Sequence, residues 1–157
     1  MPITPEQNNL SLLNYRLKVD AIPHIEYRVQ TLSLPGVSLG TADVQTPFTR
    51  IPFGGNVVYD ELTLTFMVGE QMKDYLSIYD WIKRIGYPEN LNQYNYSATD
   101  GSVIILDSSF KPAFNARFTE MIPISLSSIE FDSTLSDVQY ATSTVSFRFT
   151  SFTIEAF

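Results

Sequence analysis

The chain has no cysteine and one histidine, His24, in 157 residues. Without cysteine there is no disulfide framework, no thiolate nucleophile and no zinc–thiolate site, a composition that suits folding in a reducing cytoplasm. One histidine cannot serve both a catalytic triad and a metal cluster. His24 also lies between Pro23 and Ile25 at a predicted turn, where a histidine is ordinarily a surface residue. Charge is scarce: 17% of residues are Asp, Glu, Lys or Arg, against roughly 25% in soluble domains. Ser, Thr, Asn and Gln supply some polarity in its place, but a surface largely covered by other subunits would also account for the deficit. The charge that is present is acidic, formally −7. That argues against a grip on nucleic acid, which needs a cationic surface, but does not exclude a surface past which DNA slides without sticking. The N-terminus lacks the basic start and apolar run of a secretory signal, and no apolar stretch approaches the ~18 residues of a membrane span. A soluble protein without cofactor is expected.

What is present is a single domain's worth of strand pattern. Hydrophobic residues make up 44% of the chain, enough to bury a core. Residues 1–11, polar and with two prolines, read as a flexible tail, and 12–157 as one domain. Leu13, Tyr15, Leu17 and Val19 alternate with polar residues, as do Ile25, Tyr27 and Val29 after Pro23; the two runs are expected to form a hairpin. Further strand patterns run over 57–68, 103–106, 114–119, 124–131 and 145–149. Phe152 and Ile154 fall on the other parity, which calls for a bulge or a neighbour.

Between Leu34-Pro35-Gly36 and the 57–68 strand lies an extended arm. Pro47 and Pro52 cannot donate to a sheet ladder, so the arm belongs at an edge or is broken, and Gly54-Gly55-Asn56 supplies turn chemistry. Val37, Leu39, Val44, Pro47, Phe48, Arg50, Ile51, Pro52, Phe53, Gly54 and Gly55 are its candidates for contact with another subunit or ring. One helix is predicted at about 70–85. Met72, Tyr75, Leu76, Tyr79, Ile82 and Ile85 recur at helical spacing and are its expected core face. Glu70 near its start and Lys83 and Arg84 near its end match the macrodipole, and Gly86 then Pro88 stop it.

No constellation of His, Asp and Ser supports catalysis. Asp60-Glu61 and Glu130 with Asp132 are the close carboxylates; a divalent cation or an acid–base pair would use such groups, but solvated strand edges are the better account. The aromatic residues are not interleaved with basic ones, as base stacking would require. Tyr87, Tyr94 and Tyr96 form an exposed cluster of the kind that favours interfaces.

The order of elements resembles the tail tube proteins of contractile-tailed bacteriophages. The resemblance rests on the Leu34-Pro35-Gly36 turn, the Ile51-Pro52 step, the strand start Tyr59-Asp60-Glu61-Leu62-Thr63-Leu64-Thr65-Phe66 and the Asp80-Trp81 pair in the helix. The closing strands, Phe118-Thr119-Glu120-Met121-Ile122-Pro123 through Val145-Ser146-Phe147-Arg148-Phe149, complete it, so that it covers about residues 12–155. It implies a mainly β fold, a two-sheet sandwich or barrel with one flanking helix, whose strands complete a β-barrel across subunits in a ring. It further implies a virion structural protein: stacked hexameric rings forming a tube with an acidic lumen for genome ejection, assembled in the host bacterial cytoplasm. Its partners would be copies of itself, a sheath, a tape-measure protein, baseplate and terminator proteins, with DNA passing through the lumen without specific binding.

The tyrosine-rich 87–96 loop and the proline-containing tail depart from a typical tube subunit and could mark a baseplate adaptor ring of the same fold. A monomeric β-sandwich binding module is the alternative from another class; it would order the arm internally. On strand parity, Glu26, Arg28, Gln30, Asn115, Arg117, Thr119, Ser127, Glu130 and Asp132 are the lumen candidates.

Overall fold

The computed structural model describes residues 8–92 and 98–157. Nine strands and one α-helix are built from them: β1 (Tyr15–Val19), β2 (Val29–Ser33), β3 (Val37–Gln45), β4 (Arg50–Tyr59), β5 (Leu62–Met67), α1 (Lys73–Gly86), β6 (Thr99–Leu106), β7 (Pro112–Leu126), β8 (Thr142–Arg148) and β9 (Ser151–Ala156). The main sheet is antiparallel in the order β1-β6-β7-β8-β5-β2, with β9 also on β7, while β3 and β4 pair only with each other.

β7 organises the body. Its first half pairs with β6 and β9 and its second half with β8. β8 and β9 follow one another along it, with Arg148 opposite Ile122 and Ser151 opposite Thr119. Pro123 lies within this strand rather than ending it. A register shift against β8 between Pro123 and Ser125 accommodates the missing donor, and the left-handed Glu120 (φ 54) lies in a separate shift against β6. The two ends of the sheet path approach each other: the Tyr15 hydroxyl on β1 donates to the Gln30 carbonyl on β2 at 2.9 Å, and burial pushes the Tyr15 phenol above its ordinary value. The sheet thus curls into a barrel-like sandwich around one core. Leu17, Val19, Leu62, Leu64, Phe66, Val103, Phe118, Met121, Val145 and Phe147 are buried there, each contributing about 1.5–3 kcal/mol of burial.

The expected hairpin between the first two runs does not form. Pro23–Tyr27 is a 3-10 helix, with Ile22 and Ile25 buried three residues apart, the period of that helix. β1 pairs with β6 and β2 with β5. The predicted 57–68 strand is broken at Asp60-Glu61, where the Asp60 amide donates to the Gly36 carbonyl. Residues 127–141 form no strand. At the C-terminus, the parity change between Phe147 and Phe152 is a bend at Phe149-Thr150 between two strands, filled by Tyr59, Phe118, Phe149 and Phe152 with ring centroids 4.9–5.6 Å apart.

α1 starts and ends slightly later than predicted, and its buried face is rotated. Ile78 and Trp81 are buried, Trp81 lying 5.9 Å from the Phe147 ring; Tyr75, Ile82 and Ile85 pack at the margin of the core. Leu76 and Tyr79, expected inside, are 47% and 45% exposed, and Met72 is the left-handed residue before the first turn. Asp74 is buried in that turn, where the helix dipole favours a carboxylate.

Candidate assembly surface

The β3–β4 hairpin stands out from the body. Every residue from Val37 to Gln45 and from Arg50 to Val58 is exposed. Val37, Leu39, Val44, Ile51, Phe53, Val57 and Val58 are among them, and Phe48 at the tip is 98% exposed. The arm pairs only with itself and is not packed into the body, and in a two-stranded hairpin both strands are edges, as its prolines required. Its turn lies at Thr46–Thr49, where the Thr46 hydroxyl donates to the Thr49 carbonyl at 2.6 Å and accepts from the Thr49 amide at 3.1 Å. Pro47 sits in this turn. Pro52 pairs opposite Asp43 within β4, and Gly54-Gly55-Asn56, read as a turn, lies inside the same strand. At its base, Tyr59 packs on Phe149 and Phe152. A two-stranded hairpin is marginal by itself in water, and apolar residues along its full length mark a surface made to be covered.

The lumen candidates fall into separate groups. Asn115, Arg117 and Thr119 share the outward face of β7. Arg117 is flanked by Ser102 on β6 and Thr153 on β9, Asn115 by Ile104 and Glu155. Arg16 and Lys18 on β1 continue those two rows, opposite Ile104 and Ser102. Gln30 lies on β2. Glu26 is in the 3-10 helix and Arg28 caps it, so strand parity does not apply to either; the Arg28 guanidinium lies where a Cβ on Gly69 would come within 3.2 Å. Ser127, Glu130 and Asp132 are in the loop after β7. The Ser127 hydroxyl accepts from the Thr144 amide at 2.8 Å and meets the Ser143 hydroxyl at 3.0 Å. The hydroxyl and amide of Thr134 donate to Asp132 at 2.6 and 2.9 Å and hold its carboxyl below the usual range.

The sequence profile of the phage tail tube proteins matches residues 4–155. The chain belongs to that family. Solved structures with this tail tube fold include the tube-terminating cap of the anti-feeding prophage, with TM-score 0.75, 16% identity and coverage of 99% of this chain and 96% of that one. A second is a chain of the sheath–tube complex of the PVC extracellular contractile injection system, with TM-score 0.73, 17% identity and coverage of 96% and 94%. Hcp1 from Flavobacterium johnsoniae is more distant, at TM-score 0.53, 15% identity and coverage of 92% and 98%. No curated protein sequence matches the chain.

On this tail tube fold, the sequence reading missed Arg16, Lys18, Thr153 and Glu155 as row neighbours of the β7 candidates. The signal was available for β1, where Arg16 and Lys18 alternate with buried Leu17 and Val19. A cleft of about 790 Å³ beside the start of α1 brings His24, Glu70 and Asp74 to one place, with no serine, threonine or cysteine in its lining. Among the described residues no group of three or more possible metal ligands occurs, and no helix is long and apolar enough to cross a membrane. Tyr87 is exposed; Tyr94 and Tyr96 lie outside the described residues.

Proposed function

We propose that this chain is the repeating subunit of a tail tube, six copies closing a β-barrel wall in each ring and the rings stacking into a hollow rod. The observation that carries this is the hairpin, apolar and exposed along both strands in a family of tail tube proteins. Closure across subunits would also cover the unpaired edges of β1, β2 and β9, which an open sheet leaves exposed to aggregation. The likeness to a sheath–tube complex supports a contractile tail with a sheath around the tube. A terminator and a baseplate of similar fold support partners at the two ends. The function is structural: DNA passes through the bore, filled before ejection by a tape-measure protein, in a virion tail assembled in the host bacterial cytoplasm.

The bore is assigned to the face shared by Asn115, Arg117 and Thr119. Its rows hold Arg16, Lys18 and Arg117 against Glu155, a weakly cationic face with several hydroxyls on a chain that is acidic as a whole. Sparse cations of this kind hold phosphate without reading sequence, and salt screens them.

Electron microscopy of the purified protein tests the reading. Six-fold rings or hollow rods are expected. Rings that never elongate would identify an adaptor or cap of the same fold, and featureless monomers at high concentration would overturn the tube.

A further inference from the structure

The turn that leads from β5 into α1 leaves one charge without a partner. Met72 adopts a left-handed conformation (φ 52), and its amide donates to the Gly69 carbonyl at 2.9 Å. Methionine offers no oxygen to cap the helix, and no side-chain hydrogen bond caps it. Asp74, in the first turn, is 6% exposed. Its Oδ1 is sealed from solvent and accepts no hydrogen bond. The helix dipole favours a carboxylate there, but a sealed acceptor without a donor remains costly. Asp74 also lines the cleft of about 790 Å³ between the 3-10 helix and the start of α1.

We propose that this cleft is a binding site for a primary alkylammonium group, carried by a lysine side chain on a protein segment or by a free amine. With Oδ1 sealed, the carboxylate is open to the cleft at one oxygen. A guanidinium fork needs two, whereas an ammonium is a point charge that one oxygen satisfies. Met67, Val68 and Met72, all half-buried, supply an apolar wall for the alkyl stem. Tyr27 and Tyr140, 85% and 76% exposed, stand at the rim, where ring faces attract a cation. The cleft's own cations leave the place open. The Arg28 guanidinium lies against Gly69, Lys73 is exposed, and among the described residues neither pairs with Asp74. Water screens both, and Glu70 in the same lining offsets them further. The site needs neither ring nor rod, so it stands apart from the tube reading.

Thermal melting of the full chain in n-butylammonium chloride, against sodium chloride at the same concentration, tests the site. A ligand this small binds at roughly 1 mM, so at about 100 mM amine the wild-type midpoint should rise by about 5 °C. Asp74→Asn keeps the shape of the side chain without its charge and should lose that rise. Tyr140→Ala, at an exposed position, should raise the amine concentration needed roughly threefold, and it decides the matter if Asp74→Asn does not fold. N-acetyl-lysine methylamide distinguishes the sources. A larger rise than with the amine assigns the group to a protein segment, and an equal or smaller one to a free amine. No rise in the wild type, or an undiminished rise in both variants, would overturn the site and leave a trapped water as the partner of Asp74.

Discussion

A Cβ placed on Gly55 would lie 2.9 Å from the Gly40 carbonyl oxygen and 3.3 Å from its carbonyl carbon. Neither strand can relieve that approach by rotating a side chain, because the obstacle is backbone. Gly55→Ala is therefore expected to shift the hairpin register while leaving the body intact. Thermal melting should stay close to wild type, and the yield of sedimentable rods should fall roughly tenfold, the effect of ~1.4 kcal/mol lost at each joint. Normal rods from this variant would mean that the hairpin register has no part in assembly.

Removing residues 40–55 joins Leu39 to Asn56 and leaves the paired base of the hairpin in place. The expected product is a soluble subunit that no longer polymerises, scored by size-exclusion chromatography and negative-stain microscopy. Tubes at normal yield would show that the outer hairpin has no part in assembly.

The two apolar stripes of α1 differ in what they support. Ile78 is fully buried, so Ile78→Ala should lower unfolding free energy by about 2–5 kcal/mol in urea titrations. Leu76→Ala, on the half-exposed stripe, should stay within about 0.5 kcal/mol. The reverse order would mean that the helix sits differently on the core.

That helix shows where the sequence was legible and where it was not. Its existence and its stop were readable, because Gly86 and Pro88 punctuate an amphipathic run. Its face was not: Leu76 and Tyr79 are as apolar as Ile78 and Trp81, and nothing local chooses between stripes that only packing on Phe147 distinguishes. The strands were legible by alternation, but their partners were not. Leu17 pairs opposite Val103 and Leu62 opposite Phe147, separations that no local pattern encodes. The hairpin misled for a related reason: Gly54-Gly55 carries the composition of a turn, yet its role is close approach to Gly40 within a strand. Among the lumen candidates, parity placed Asn115, Arg117 and Thr119 on one face of a strand, as β7 has them. It had no meaning for Glu26 in the 3-10 helix or for Glu130 and Asp132 in the loop.

Asp132 offers a pH test of that loop. Its carboxyl is held below the ordinary 3.8, first by the Thr134 hydroxyl and then by the Thr134 amide. A depressed folded-state value stabilises the fold at pH above the unfolded value, and this support is lost as pH falls through the lowered one. Thr134→Val removes the hydroxyl donor, so the Asp132 titration followed by NMR should move up toward 3.8. An unmoved midpoint would assign the shift to another group.

The proposed bore face can be tested directly. Arg117→Cys labelled with a heavy-atom maleimide should add density at the inner radius of a helical reconstruction, with rods of unchanged length. Label on the outside of the rod would take β7 out of the bore.

The pairing of Leu62 with Phe147 and of Tyr15 with Ile105 also bears on when a subunit can exist at all. Most of the body's ladders join distant parts of the chain, so closing them is slow and the body cannot form until β8 has left the ribosome. The hairpin of β3 and β4 is local and complete far earlier in synthesis. In the proposed tube the hairpin would thus be made before the surface it grips, and polymerisation would wait on the last strands rather than begin on nascent chains.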